Sequence, residues 1–277
     1  MEPTPAEIAR TLAAGHLPGR IRTECGPEGG SSVSGATEFA VTHVTDRMGR
    51  VLVLLAEDSP VDRALRPVAA DGDAVAQLLV ADRQPVAGSP WRGRITMSGW
   101  ATRLAGIAAH RAAMDFAEVS AVGELLDVGR GSVLYRLDLA EIEWATPGYD
   151  APDTGADGLR RIDVDVDAFL DAEPDPFGAD EQKLLSDLAD HHGDLLAELC
   201  AQARESAVPG ADSARALRLD RYGLTLGIDV AGEERWIRAG FRHPIADLRE
   251  LAEVFHLLAC CRCRPEPHRH APETHAH

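Results

Sequence analysis

The sequence predicts an α+β protein: a β-rich N-terminal half, then a small helix–three-strand–helix unit. Three observations lead there. Between residues 37 and 144, short apolar stretches are separated by Pro, Gly and Asp turns, the pattern of consecutive strands. From Asp180 onward a long amphipathic stretch precedes three strand-like runs and a second amphipathic stretch. Between these halves, Thr146 to Gly158 is poor in apolar residues and rich in Pro, Gly and Asp, which reads as a linker.

Composition narrows the class. The chain has 277 residues, with 45% hydrophobic and 26% charged, values of a globular protein. Its charge is 28 basic minus 45 acidic residues, or −17. Such a chain repels nucleic-acid phosphate and anionic lipid, and no dense basic patch offsets this. No apolar run reaches the roughly 18–20 residues of a membrane helix. The start, MEPTPAEIAR, lacks a basic-then-apolar signal pattern, so a cytoplasmic protein is expected. Five cysteines, three of them at Cys260, Cys261 and Cys263, then argue for free thiols or a metal.

Each element has its own local reason. Thr4-Pro5-Ala6-Glu7 is a capping box with Pro at the first helical position, predicting a helix to about Gly15. Thr37 to Thr45 and Arg50 to Ala56 read as strands joined at Asp46-Arg47-Met48-Gly49. Ser59-Pro60-Val61-Asp62 starts a short helix ending near Arg66. Strands follow at Asp73 to Ala81 and Arg94 to Ala101, a helix near Ala105 to Phe116, and a long strand at Ser132 to Trp144. Ile162 to Leu170 alternates apolar and acidic residues and reads as strand; Glu173-Pro174-Asp175-Pro176 then breaks the chain.

The second half begins with a predicted helix over Asp180 to Gln202, carrying Leu184, Leu188, Leu195 and Leu199 on one stripe. Leu217 to Asp220, Leu224 to Val230 and Arg235 to Phe241 read as strands. Pro244 opens a final helix with Leu248, Leu251, Phe255, Leu258 and Ala259 inward. The expected units are residues 1–172, 173–263, and a His- and Pro-rich tail at 264–277 without core-forming residues.

Several motifs in this second half resemble a known module. They are Glu173-Pro174-Asp175-Pro176-Phe177, Asp190-His191-His192-Gly193-Asp194, Leu219-Asp220-Arg221-Tyr222-Gly223-Leu224 and Phe241-Arg242-His243-Pro244. Together they resemble a small α+β family of unassigned function, over about residues 173 to 262. In bacteria this module is often fused to a split β-barrel of the pyridoxamine-phosphate-oxidase-like, flavin-binding type, and the same pairing occurs in HugZ-type haem-binding proteins. Leu125-Leu126-Asp127-Val128-Gly129 before the strand from Ser132 is similar to the barrel type. The resemblance implies a split β-barrel followed by the small domain, a homodimer, and haem or FMN as cofactor. The family helix usually reads His-x-Asn-x-Asp-His-x-Asp. Here Asp187, Ala189 and His191 replace the first three, and only His192 and Asp194 match.

The resemblance makes His192 and Asp194 cofactor candidates, with a packing role for His192 equally open. His191, about 100° away on the helix, reads as solvent-facing. In flavin-binding split barrels, a strand and short helix supply donors to the FMN phosphate; the matching stretch offers only Ser59 and Arg63. Glu57, Asp58 and Asp62 crowd that expected position and would repel a phosphate dianion, so FMN is expected to bind weakly or not at all. At the C-terminus, Cys260 and Cys263 have Cys-x-x-Cys spacing, and His268, His270, His275 and His277 follow. Thiolate and imidazole suit a late divalent metal, and the resemblance makes a tail histidine a candidate haem ligand. Asp163, Asp165, Asp167 and Asp171 lack the glycine and terminal Glu of a calcium loop and read as a solvated face. Functionally, the resemblance implies haem or flavin binding and a part in haem handling; the other reading is a non-catalytic binding or regulatory module whose cofactor site has decayed.

Overall fold

A computed structural model of the chain describes residues 1–23, 38–66, 74–148, 154–198, 211–230 and 232–260. In α1 (Pro5–Leu12), the Thr4 hydroxyl accepts the Glu7 N–H at 3.2 Å, and the Glu7 carboxylate accepts the Thr4 N–H at 2.8 Å. The helix stops at Ala13, short of the expected Gly15. Gly15 has φ +116°, and a Cβ there would lie 2.8 Å from the His43 carbonyl, so the chain must leave the helix to pass this strand.

Seven strands follow: β1 (Gly19–Thr23), β2 (Glu38–Thr45), β3 (Val51–Ala56), β4 (Ala74–Ala81), β5 (Arg94–Arg103), β6 (Ser132–Pro147) and β7 (Leu159–Val164). The sheet order is β3-β2-β1-β4-β5-β6-β7, all neighbours antiparallel, and a further β3–β6 pairing closes the first six into a barrel. β6 makes both contacts by length. Its 16 residues pair with β3 from Ser132 to Leu137 and with β7 from Ile142 to Pro147. β1 escaped the sequence reading, because Gly-Arg-Ile-Arg-Thr offers a single large apolar residue.

The barrel interior holds Ile21, Val53, Leu78, Ile95, Met97 and Tyr135. β3 reads Val-Leu-Val-Leu-Leu without alternation because both of its faces are covered. Val51, Val53 and Leu55 face the interior; Leu52 and Leu54 face outward beneath α3 (Gly106–Val119), where Phe116 is fully buried. α2 (Pro60–Leu65) packs on β3 and β4, and a 3₁₀ turn (Gly123–Asp127) precedes β6.

Other boundaries also differ from expectation, and the strand expected from Leu217 starts at Ala211. The strand near 162–170 ends at Val164, because the Asp165 carboxylate accepts the Ala168 N–H at 2.8 Å and caps α4 (Val166–Asp171). The helix expected over 180–202 divides. α5 (Glu181–His191) ends where His192 leaves helical geometry at φ −124°, ψ 34°, and α6 resumes over 193–198. Gly193, a poor helix former, follows that break; Leu199 lies outside the described residues. The last helix, α7 (Leu248–Cys260), starts at Leu248 rather than Pro244. Asp247 accepts the Glu250 N–H at 2.8 Å there, and Leu248 is 52% exposed instead of inward.

Between α6 and α7 lies the second sheet, β8 (Ala211–Asp220), β9 (Gly223–Val230) and β10 (Glu233–Gly240), in the order β10-β9-β8. Its apolar face joins Leu185, Leu188, Leu195 and Leu251 in a second core. The fold is thus a split β-barrel followed by a small helix–three-strand–helix domain. No helix among the described residues is long and apolar enough to cross a membrane.

A buried ionic cluster fastens the two sheets. Glu181 accepts from Arg92 at 2.9 and 3.1 Å, from Arg218 at 3.1 Å and from the Leu219 N–H at 2.9 Å. Arg218 also pairs with Asp82 and donates to the Pro90 carbonyl at 2.9 Å. Burial alone would lower the Arg92 pKa, but Glu181, Asp220, Asp82 and Asp175 outweigh it and raise it, so the cluster stays ionised.

Leu251→Ala, deleting a side chain that is 3% exposed, should cost about 2–5 kcal/mol in a urea titration. Glu181→Ala should cost about 3–5 kcal/mol by the same measurement, since it removes the carboxylate shared by the buried Arg218 and the partly buried Arg92.

Candidate functional site

The structure places the predicted residues in separate regions. At α2, the Ser59 hydroxyl is the N-cap and accepts the Asp62 N–H at 3.2 Å. Arg63 donates to the Asp58 carbonyl at 2.7 Å. Ser59 is therefore held as the cap of α2, and Arg63 is tied to the turn before it. Of the three acids expected to crowd this position, Asp62 instead turns inward and is fully buried. It accepts from the Tyr135 hydroxyl at 2.7 Å, the Asp58 N–H at 2.8 Å and Arg66 at 2.6 Å. Burial opposes the charged carboxylate, yet these donors hold its pKa below the ordinary value, while burial and Asp62 push the Tyr135 phenol up. Glu57 and Asp58 stay at the surface, paired with Arg103 and Arg66.

His191 and His192 are exposed at the end of α5, and both face Asp187, at 3.1 and 3.6 Å. Asp194 is likewise exposed, in α6. No hydrogen bond or ion pair among the described residues joins this end of α5 to α2. Cys260 closes α7; Cys263, His268, His270, His275 and His277 lie outside the described residues. Among the described residues, no three His, Cys, Asp or Glu side chains gather as metal ligands.

One site was not singled out in the sequence. α3, the 3₁₀ turn and the start of β6 enclose a groove of about 890 Å³, within the roughly 300–1,000 Å³ range of small-molecule sites. α3 buries Ala109, Ala112 and Phe116 against the barrel. Its opposite face carries Ile107, His110 and Met114 at i, i+3 and i+7. Met114 is 59% exposed and Leu126 across the groove 79%; Ile107, 77% exposed, lies outside the lining. The signal was present in Gly-Ile-Ala-Ala-His-Arg-Ala-Ala-Met: two large apolar residues on the face that should be polar.

The charges of the groove run against the rest of the chain. Its lining includes Arg103, His110 and Arg130 but no carboxylate, in a protein with 45 acidic residues. His110 is exposed and makes no hydrogen bond or ion pair among the described residues, so its imidazole is available. Arg103 donates to Glu57 at 2.7 Å, and Arg130 to the Leu126 carbonyl at 3.3 Å. α3 also begins without a side-chain cap, which leaves its first N–H groups toward the same end of the groove as Arg103. Apolar walls, an available imidazole and two guanidinium groups suit a flat, largely apolar ligand with acidic substituents.

This combination defines a split-barrel protein with an appended α+β domain and an apolar, cation-flanked groove. Comparison with solved structures places the fold further. A haem-binding protein from Mycobacterium smegmatis is similar over 94% of this chain and 98% of its own, at 22% identity and a TM-score of 0.66. A protein of unknown function from Agrobacterium tumefaciens aligns over 94% of this chain and 97% of its own, at 14% identity and a TM-score of 0.41. PhzG from Burkholderia lata aligns over 56% of this chain and 83% of its own, at 16% identity and a TM-score of 0.29. The first likeness is one of fold. No protein-family model and no curated protein matches the chain.

Because Arg63 is tied to its own turn and the acids Glu57 and Asp58 flank Ser59, titration with FMN monitored by flavin fluorescence should show no tight, stoichiometric binding.

Proposed function

We propose that the protein binds haem in the groove of α3. The observation that carries this reading is the lining itself: Met114, Leu126 and Val128 with His110, Arg103 and Arg130, and no acid. Neutral imidazole is an iron ligand, so His110 would hold the metal. Arg103 and Arg130 would pair with the two propionates, and the apolar residues would cover the ring. The haem-binding protein that shares the fold supports this choice over other flat anions. The acids beside Ser59 and the tethered Arg63 favour binding without flavin chemistry, which agrees with a binding or regulatory module rather than an oxidase.

A second copy would supply what the groove lacks. Ile107 and Leu126 stay more than three-quarters exposed, and a homodimer that covers them would also shield the ligand from water. Light scattering of the purified protein, with and without haem, reads this directly.

The defining experiment is a haem titration followed by Soret absorbance. The native chain should give a stoichiometric Soret band. His110→Ala should shift its position and weaken binding by about tenfold or more, and Arg130→Glu should weaken binding without moving the band. A native chain without a Soret band, or a His110→Ala protein with an unchanged one, overturns the assignment.

A further inference from the structure

His43 sits inside the barrel on β2, at the end closed by the turn between α1 and β1. It is 1% exposed, and neither ring nitrogen has a hydrogen-bond partner. That is costly for a polar ring unless the site has another use. The surroundings press closely. A Cβ on Gly19 would lie 2.6 Å from the His43 Nδ1, so only glycine lets β1 start here. The same turn carries His16, the titratable side chain that acts on His43; His16 in turn faces Asp82 and Arg92 from the β4–β5 loop. β3 pairs Val53 with His43, and β4 brings Leu78 against Gly19, so these walls are apolar. A proton arriving on His43 therefore meets a second imidazole and no carboxylate of its own.

The turn is also a connector. Thr45 donates to the Ala13 carbonyl at 2.7 Å and holds the end of α1 on β2. α1 reaches the second sheet through the Tyr222 hydroxyl, which donates to Glu7 at 2.5 Å, and through Thr11, which accepts the Asp175 N–H at 2.8 Å. We propose that His43, beside the exposed His16, is an acid-sensitive latch: when its imidazole takes up a proton, the α1–β1 turn leaves the barrel mouth and α1 releases the second sheet.

The direction follows from burial. Desolvation first, and His16 second, hold His43 down to about 4; desolvation and Arg92 also lower His16, with Asp82 opposing. An imidazole freed to water titrates near its ordinary value, about 6.5. The closed form thus binds fewer protons than the open form between those values. Closure is complete above about pH 6.5 and is lost progressively as pH falls toward 4.

Hydrogen exchange of the full chain, read by mass spectrometry and corrected for the intrinsic pH dependence, tests this. Between pH 7.5 and 5.0, residues 5–23 should exchange about tenfold faster or more, while β5 and β6 hold their protection. His43→Gln should abolish the change. If that variant does not fold, His16→Gln serves, and should weaken the response to pH by removing the neighbouring charge that disfavours protonation of His43. An unchanged rate in residues 5–23, an equal rise in β5 and β6, or a native response in either variant overturns the latch.

Discussion

Glu181 receives two arginines from opposite sides of the molecule, and the relation between the two sheets depends on that convergence. Arg92 comes from the β4–β5 loop of the barrel and Arg218 from β8 of the second sheet. Both are largely shielded from solvent, as is Asp82, which completes the charge balance. Removing such charges from water costs several kcal/mol for each ion, and the loss is recovered only when every donor finds an acceptor. Here the Pro90 and Leu219 carbonyls take further guanidinium hydrogens, so the geometry is specified rather than merely attractive. An apolar joint would allow sliding; this one has a single register.

The α3 groove shows the opposite economy. Nothing in the fold requires Ile107, Met114 or Leu126 at the surface, since the barrel is already closed and Phe116 fills the space beneath the helix. Exposed apolar side chains beside two arginines are therefore best explained by what they contact outside the chain. The cations matter more here than in an ordinary protein. A net charge of −17 creates a field that repels anions, whereas the groove's lining among the described residues holds two arginines and no carboxylate.

Much of the fold could be read from residues alone, wherever local pattern and burial agree. The capping box at Thr4, the N-cap at Ser59, the Asp46-to-Gly49 hairpin and the period of α5 all lie where their residue types demand. Elements were lost where a tertiary contact decides. β1 is a strand because β2 and β4 flank it, and α1 stops early because β2 passes Gly15. The site was less legible. Ser59 serves as the cap its position predicts, while Arg63 turns back onto the Asp58 carbonyl, a direction that no pattern in the sequence shows. His110 stood in plain view, but an isolated histidine on a helix acquires meaning only when the turn carrying Leu126 folds beside it.

The uninterrupted apolar run of β3 has a consequence during synthesis. Its second long pairing partner, β6, lies far downstream, beyond β4, β5 and α3. A chain emerging from the ribosome therefore carries Val51 to Leu55 for some time with only β2 to pair with, free of any charge and bare on both faces. Such a segment is prone to associate with its like in neighbouring chains. The native pairing, by contrast, requires a long loop to close before it yields any contact. Folding of this barrel is a race between those two events, and β3 is the segment where a chaperone would be of most use.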